Sequence, residues 1–170
     1  MKDNKDSKTN VARLLDKAKV AYKLLSYDFD PDDLNATHAA DSFGYEYGRV
    51  FKTLVLRGDK TGLFVCVIPS DKSVDLKKAA KVSANKSASM LHVSELLENT
   101  GYIRGGCSPF GMKKNFPTYI DSSVMQWATI TLSAGQRGKM IEAKPQDLIA
   151  LGRMHTADIV STEKQDEQWK

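Results

Sequence analysis

An α+β domain, with a covered sheet and short helices packed around it, is the architecture this sequence predicts. The first observation is a pair of apolar segments, Phe51-Lys52-Thr53-Leu54-Val55-Leu56-Arg57 and Leu63-Phe64-Val65-Cys66-Val67-Ile68-Pro69. They flank Gly58-Asp59-Lys60-Thr61-Gly62, a connection with the length and composition of a β-hairpin turn. Both segments are apolar on both faces, so they belong at the centre of a covered sheet. The second observation is another hairpin pattern: Trp127 to Ser133 alternates, Gly135-Gln136-Arg137-Gly138 turns the chain, and Lys139 to Ala143 returns. The third is a series of capped helical stretches between and around these strands.

With 170 residues, of which 41% are apolar and 27% charged, the chain has the size and composition of one soluble domain. A net charge of +4 permits a polyanionic partner such as RNA without requiring one. Cys66 and Cys107 stand in unrelated contexts, form no metal-ligand pair and point to a reducing compartment. Met1 leads into Lys2-Asp3-Asn4-Lys5-Asp6-Ser7-Lys8, with no apolar core for a signal peptide. The apolar run from Leu63 to Pro69 is far too short to span a bilayer. A cytoplasmic location with no membrane partner is expected.

Residues 1–9 are polar and expected to be disordered, 10–160 form the domain, and 161–170 are a second disordered tail despite Trp169. Asn10 caps a helix that places Val11, Leu14, Leu15 and Ala18 on one face. Tyr22 to Tyr27 reads as a strand, broken by Asp28-Phe29-Asp30-Pro31-Asp32-Asp33. Those aspartates are read as turn and cap residues, because their spacing is wrong for a calcium loop. A helix from Ala36 to Phe43 ends at Gly44. Asp75 caps another that runs through Val82 and carries Lys77, Lys78 and Lys81. Ser94 to Asn99 forms a further helix, with Leu96 and Leu97 inward and Gly101 as its stop. Pro117 to Asp121 is a strand ending in a cap. Alternation after it sets Ala128, Ile130 and Leu132 on one side and the hydroxyls on the other. Pro145 opens a helix over Gln146 to Leu151, closed by Gly152, and Ala157 to Val160 adds a last strand.

The familiar catalytic signatures are missing from the string. His38, His92 and His155 are far apart, with no paired-histidine spacing for zinc, and no nucleophile elbow, Walker A loop or dinucleotide fingerprint occurs. No metal or cofactor is expected. Two features remain. Lys52 shares a strand face with Leu54 and Leu56. Its ammonium either meets an anion or a watered cavity, or snorkels to solvent from the strand's first turn. The stretch Arg104-Gly105-Gly106-Cys107-Ser108-Pro109-Phe110-Gly111-Met112-Lys113-Lys114 cannot sit comfortably in a helix or central strand. It is either a shaped loop whose amides converge on an anion or oxyanion, or an ordinary surface connection with a basic end. Cys107 is the one plausible nucleophile, though loop packing is the commoner use of such a residue.

With these pieces in order, the chain resembles the YbaK/EbsC family of free-standing aminoacyl-tRNA deacylases, which are related to the editing domain of bacterial prolyl-tRNA synthetases. The resemblance runs from about Val11 to Ile159. It is carried by Phe51-Lys52-Thr53-Leu54, Val74-Asp75-Leu76-Lys77-Lys78, Thr100 to Lys114, Pro117-Thr118 and Ser133 to Gly138. It implies a mixed, strongly curved, barrel-like sheet surrounded by helices, and a reaction that breaks the aminoacyl ester of mischarged tRNA, Cys-tRNA(Pro) foremost. Lys52, Gly105 and Ser108 would be catalytic. Tyr27, Thr53, Gly106, Cys107, Pro109, Gly111, Ser133 and Glu142 would bind substrate, and Cys107 falls at a free position of the family's G-x-x-x-P loop. Lys77, Lys78, Lys113 and Lys114 would contact tRNA phosphates. The expected partners are the acceptor end of an aminoacyl-tRNA and prolyl-tRNA synthetase, with no DNA. The chain departs from the family where its deacylases carry an aspartate: Met140 stands there, with Glu142 two residues on. That departure keeps open the alternative of a catalytically silent module that binds tRNA ends, or a regulator of the EbsC type.

Overall fold

The computed structural model describes residues 8–162. Of the tails expected at 1–9 and 161–170, residues 1–7 and 163–170 lie outside the described residues, but Thr9 belongs to the fold, as does Ser161, which is buried and donates its N–H to the Ser73 carbonyl at 2.9 Å. Thr9 is buried, and its hydroxyl accepts the N–H of Ala12 at 3.2 Å, so Thr9 rather than Asn10 caps the first helix, α1 (Asn10–Lys17). This helix buries Val11, Ala12 and Leu15 and leaves Leu14 partly exposed.

The strands divide into two sheets. The smaller, three-stranded and antiparallel, contains β1 (Tyr22–Ser26), β6 (Ile130–Gln136) and β7 (Lys139–Ala143) in the order β1-β7-β6. The larger has five strands: β2 (Phe51–Gly58), β3 (Gly62–Pro69), β4 (Ala88–Met90), β5 (Thr118–Asp121) and β8 (His155–Ala157), ordered β4-β2-β3-β5-β8. It is antiparallel across β4-β2-β3 and parallel across β3-β5-β8, so it is mixed as expected. Val50, just ahead of β2, bridges Thr131 of β6 in parallel and joins the two sheets. The described strands therefore form two sheets meeting at a bridge, where the resemblance implied one barrel-like sheet.

Around them pack α2 (Thr37–Phe43), α3 (Leu76–Val82), α4 (Val93–Thr100) and α5 (Pro145–Gly152). The central hairpin is covered on both faces. Val55, Val65 and Val67 meet Ile130, Leu132, Ile141 and α1 on one side. Leu54, Leu56, Phe64, Cys66 and Ile68 meet Val74, Ala79 and Ile159 on the other. Cys66 is fully buried in that second cluster. Each fully buried Leu, Ile or Phe contributes about 1.5–3 kcal/mol, so this double covering fixes the hairpin and the start of β2 with it.

Four local expectations change. β6 begins at Ile130 rather than Trp127, and Thr131, which bridges Val50 where the two sheets join, is buried as deeply as its apolar neighbours. Leu97 is 54% exposed, since α4 turns only Leu96 into the core. Helix α5 includes Gly152, and Arg153, at φ +50°, takes the left-handed cap position. The last strand lies at His155–Ala157, while Val160 bridges Val74.

The far end of the central hairpin is locked by Asn85. Its carbonyl accepts the N–H groups of Lys60 and Thr61, both at 2.9 Å, and its amide donates to Ser83 and Thr61. It occupies the space left by Gly58, where a Cβ would lie 2.2 Å from the Asn85 amide nitrogen. Replacing Asn85 by Ala leaves several polar groups short of partners, which costs about 1–3 kcal/mol. A urea titration of N85A should show a lower midpoint at unchanged slope, the product of the shift and the slope giving a loss of about 1–3 kcal/mol.

Candidate active site

A cavity of about 850 Å³ opens where the two sheets meet. Its floor is the start of β2, from Val50 to Leu54, and one wall is the turn after β3, Ser70 to Ser73. The β6–β7 hairpin contributes Ser133, Arg137 and Met140, and the glycine loop contributes Arg104, Gly105 and Cys107. The segment from Phe29 to Ala39, leading into α2, closes the remaining side, with Tyr27 beside it. Tyr27, Lys52, Thr53, Gly105, Cys107 and Ser133, distant in sequence, thus share one cavity.

Lys52 is half-buried on this wall, in register with Ile68 across the hairpin. It lies at the second position of β2, on the part of that strand that lines the cavity. Thr53 is buried, and its hydroxyl has no hydrogen-bond partner among the described residues. The Ser133 hydroxyl accepts the N–H of Gly135 at 3.1 Å.

The glycine loop is held from several sides. Gly105 is left-handed, with φ +87°. Gly106 presses on the β6–β7 turn so closely that a Cβ there would lie 3.1 Å from the backbone nitrogen of Arg137. The N–H of Gly106 is donated to the carbonyl of Ile103 at 3.0 Å. Arg137 Nε donates to the carbonyl of Arg104 at 2.8 Å, and the Tyr102 hydroxyl donates to the carbonyl of Phe110. Burial pushes both the Tyr102 phenol and the Cys107 thiol up to about 12. Cys107 therefore remains a thiol at neutral pH, which favours its packing role.

Other expected site residues lie elsewhere. Ser108 is fully buried, its hydroxyl accepting the Phe110 N–H at 3.4 Å, and with Gly106, Pro109 and Gly111 it builds the loop from behind without lining the cavity. Glu142 also stays off the wall: Arg49 Nη2 donates to it at 2.6 Å, and the Thr129 hydroxyl lies 3.4 Å away. The Arg49 guanidinium in turn sits 4.3 Å over the Tyr45 ring. Lys77 and Lys114 are exposed outside the cavity, Lys78 pairs with Asp158 at 3.1 Å, and Lys113 reaches the Glu98 carbonyl at 3.5 Å. Among the described residues no group of His, Cys, Asp and Glu is arranged to hold a metal ion, and no helix is long and apolar enough to cross a membrane.

The family model for the aminoacyl-tRNA editing domain matches residues 31–151, which include most of this cavity. The chain belongs to the aminoacyl-tRNA editing domain family. It is 47% identical over 162 residues to EbsC of Enterococcus faecalis (strain ATCC 700802 / V583), named as a candidate Cys-tRNA(Pro)/Cys-tRNA(Cys) deacylase, covering 95% of this chain and 99% of that one. It is 31% identical over 121 residues to YwhH of Bacillus subtilis (strain 168), a protein without an assigned role, covering 71% of this chain and 76% of that one. Among solved structures, a candidate trans-editing enzyme for prolyl-tRNA synthetase superposes with a TM-score of 0.76 at 25% identity, covering 91% of this chain and 99% of that one.

Sequence reasoning missed part of the editing-domain cavity. Arg104 and Arg137 line it, although in the string they read only as flanks of glycine turns. Lys72 and Asp71 come from a turn with no signature, Asp30, Asp32 and Asp33 from a segment read as punctuation, and His38 from a helix to which no role was given. His38 Nε2 lies 3.0 Å from Asp33, which helps close this side. A usable signal for Arg137 was its position between Gly135 and Gly138, where a long basic side chain meets a turn that other chain must approach.

The thiol in this editing domain gives a direct check. Cys107 should resist iodoacetamide at pH 8 in the native protein and react fully once urea unfolds it, as followed by intact mass. Fast native labelling would contradict a buried, protonated thiol.

Proposed function

We propose that this protein is a trans-acting deacylase that clears mischarged tRNA, Cys-tRNA(Pro) foremost, by cleaving the aminoacyl ester. The carrying observation is the meeting of Lys52, Gly105 and Ser133 around one cavity of about 850 Å³, within the range of small-ligand sites. That volume accommodates an amino acid esterified to a terminal ribose. Membership of the editing-domain family and the 47% identity to a candidate Cys-tRNA(Pro)/Cys-tRNA(Cys) deacylase support the same reading.

Attack on the ester carbonyl builds negative charge on its oxygen, and donors fixed before the reaction stabilise that charge most effectively. Lys52 supplies the cation. Main-chain donors come from Gly105 and Cys107, the residues of the inner loop on the wall, because the Gly106 N–H is already given to Ile103. Ser108 contributes by holding the loop's shape. With Cys107 kept protonated, the nucleophile comes from the substrate. In a cysteinyl ester the side-chain sulfur attacks its own carbonyl carbon. The new C–S bond forms as the C–O bond to the ribose breaks, and the thiol proton passes to the departing ribose oxygen. Enforced proximity drives this step. For an amino acid without a nucleophilic side chain, a bound water attacks instead.

The cavity addresses the acceptor end, so choice among tRNAs falls to a partner, for which prolyl-tRNA synthetase is the proposed one, in the cytoplasm. Met140 on the wall favours a second reading, a silent module that holds tRNA ends, because it sets a thioether where the family's deacylases carry an acid. Removing one preorganised electrostatic group typically costs about 100- to 1,000-fold in rate. K52A, at unchanged Tm, should therefore lose deacylation of Cys-tRNA(Pro) on that scale. Undiminished cleavage by the folded variant would remove Lys52 from the mechanism. Retention of every ester by the wild-type protein, across a panel of mischarged tRNAs, would establish the binding module.

A further inference from the structure

We infer that Arg104 and Arg137 form a clamp for the backbone phosphate of the substrate's 3′-terminal nucleotide, orienting the ester toward Lys52. This inference rests on the deacylase reading and assigns the RNA-contacting groups of that cavity. Both arginines line it, Arg104 from the glycine loop and Arg137 from the β6–β7 turn. They are set relative to each other by main-chain contacts: Arg137 Nε donates to the Arg104 carbonyl at 2.8 Å, and Gly106 packs on the Arg137 backbone. That bond uses the Nε edge of the Arg137 guanidinium and leaves its outer edge for a ligand. Arg104 is exposed, and the latch engages only its carbonyl, so its whole side chain is available.

Position names the ligand. Arg137 Nε lies 3.5 Å from where a Gly105 side chain would begin, so the cationic edge adjoins the loop proposed to face the ester carbonyl. In an aminoacylated RNA end, the group one ribose away from the ester is a phosphodiester. Planar guanidinium forks match phosphate oxygens in a bidentate manner, unlike a lysine point charge. The cavity is also lined by Asp30, Asp32, Asp33 and Asp71, whose carboxylates repel phosphate, so the phosphate is held only where the guanidinium forks meet it. The lysines expected to hold tRNA do not compete for this role: Lys78 is paired with Asp158, and Lys77, Lys113 and Lys114 lie off the cavity.

The test uses the uncharged trinucleotide CCA and free adenosine, titrated against wild-type protein, R104Q, R137Q and K60Q at several salt concentrations. R104Q is the decisive variant, because the Arg137 latch bonds the main chain at residue 104 and survives the change. Lys60, on the far hairpin turn, serves as the control. Each arginine substitution should weaken CCA binding about tenfold and reduce the slope of log K against log salt by about 0.7, the single-strand value per phosphate contact. Adenosine affinity should move less than twofold, and K60Q should match wild type. Equal losses for CCA and adenosine would show a merely structural role and overturn the clamp, as would wild-type binding without salt dependence. Arginine-dependent CCA binding by a protein that cleaves no ester would uphold the clamp and reject the deacylase. Ester cleavage indifferent to both arginine changes would do the reverse.

Discussion

The close approach of Gly106 to the β6–β7 turn is the constraint on which the site depends. A side chain between them would be crowded, since a Cβ on Gly106 would fall 3.1–3.4 Å from three backbone atoms of Gln136 and Arg137. Gln136 ends β6 and pairs with Lys139, but the glycine loop forms no ladder with that turn, so strand pairing does not hold the two together. The contact is made by absence of volume, and then secured by the Arg137 bond to the Arg104 carbonyl and by the Tyr102 bond to the Phe110 carbonyl. Gly105, carried on the same loop in a left-handed conformation, is thereby aimed into the cavity that β2 floors. A loop so fixed loses little entropy when substrate arrives, which is what preorganised catalysis requires.

The same packing decides what kind of chemistry is possible. A cysteine in a glycine-rich loop is a plausible thiolate when the loop amides face it and water reaches it. Here Cys107 is 7% exposed, and burial outweighs any stabilisation the amides could offer, holding the thiol protonated. Thr53 stands in a different position. Its hydroxyl is buried in the cavity wall without a partner among the described residues, an arrangement that costs free energy unless something arrives to bond it. A wall that withholds nucleophiles and offers donors suits a substrate that carries its own attacking group.

How much of this was legible in the sequence follows from which physical signal each part emits. The central hairpin was legible because both of its faces are buried, and burial writes long apolar runs. Lys52 was legible as the one charge within such a run. Thr9 was not recognised as the cap, because Asn10 beside it is an equally good cap type and only geometry separates the two. Leu97 was misassigned since α4 buries a narrower stripe than its apolar content implies. The segment from Asp30 to Asp33 emits turn signals alone, and nothing in a run of aspartates says that it folds over a cavity. Ser108, Pro109 and Gly111 were grouped with the site by the family resemblance, yet they are not among the residues that line the cavity.

Glu142 shows where strand alternation reaches its limit. Met140 and Glu142 share a face of β7, as the period of two demands, but the face is not uniform along its length. At Met140 it meets the cavity and α2; two residues on it meets Arg49, Thr129 and Tyr45. A carboxylate that is 7% exposed and bonded to a guanidinium at 2.6 Å is held by that partner, because breaking a buried pair strands a charge at a cost of about 3–5 kcal/mol. Glu142 is thus committed to joining the stretch before β2 to the smaller sheet, and it does not stand in for an acid at position 140. The cavity wall keeps a thioether at that point. Its polarizable, apolar surface suits sulfur-bearing and small apolar groups better than charged ones, so at this position the cavity departs in chemistry from the family pattern.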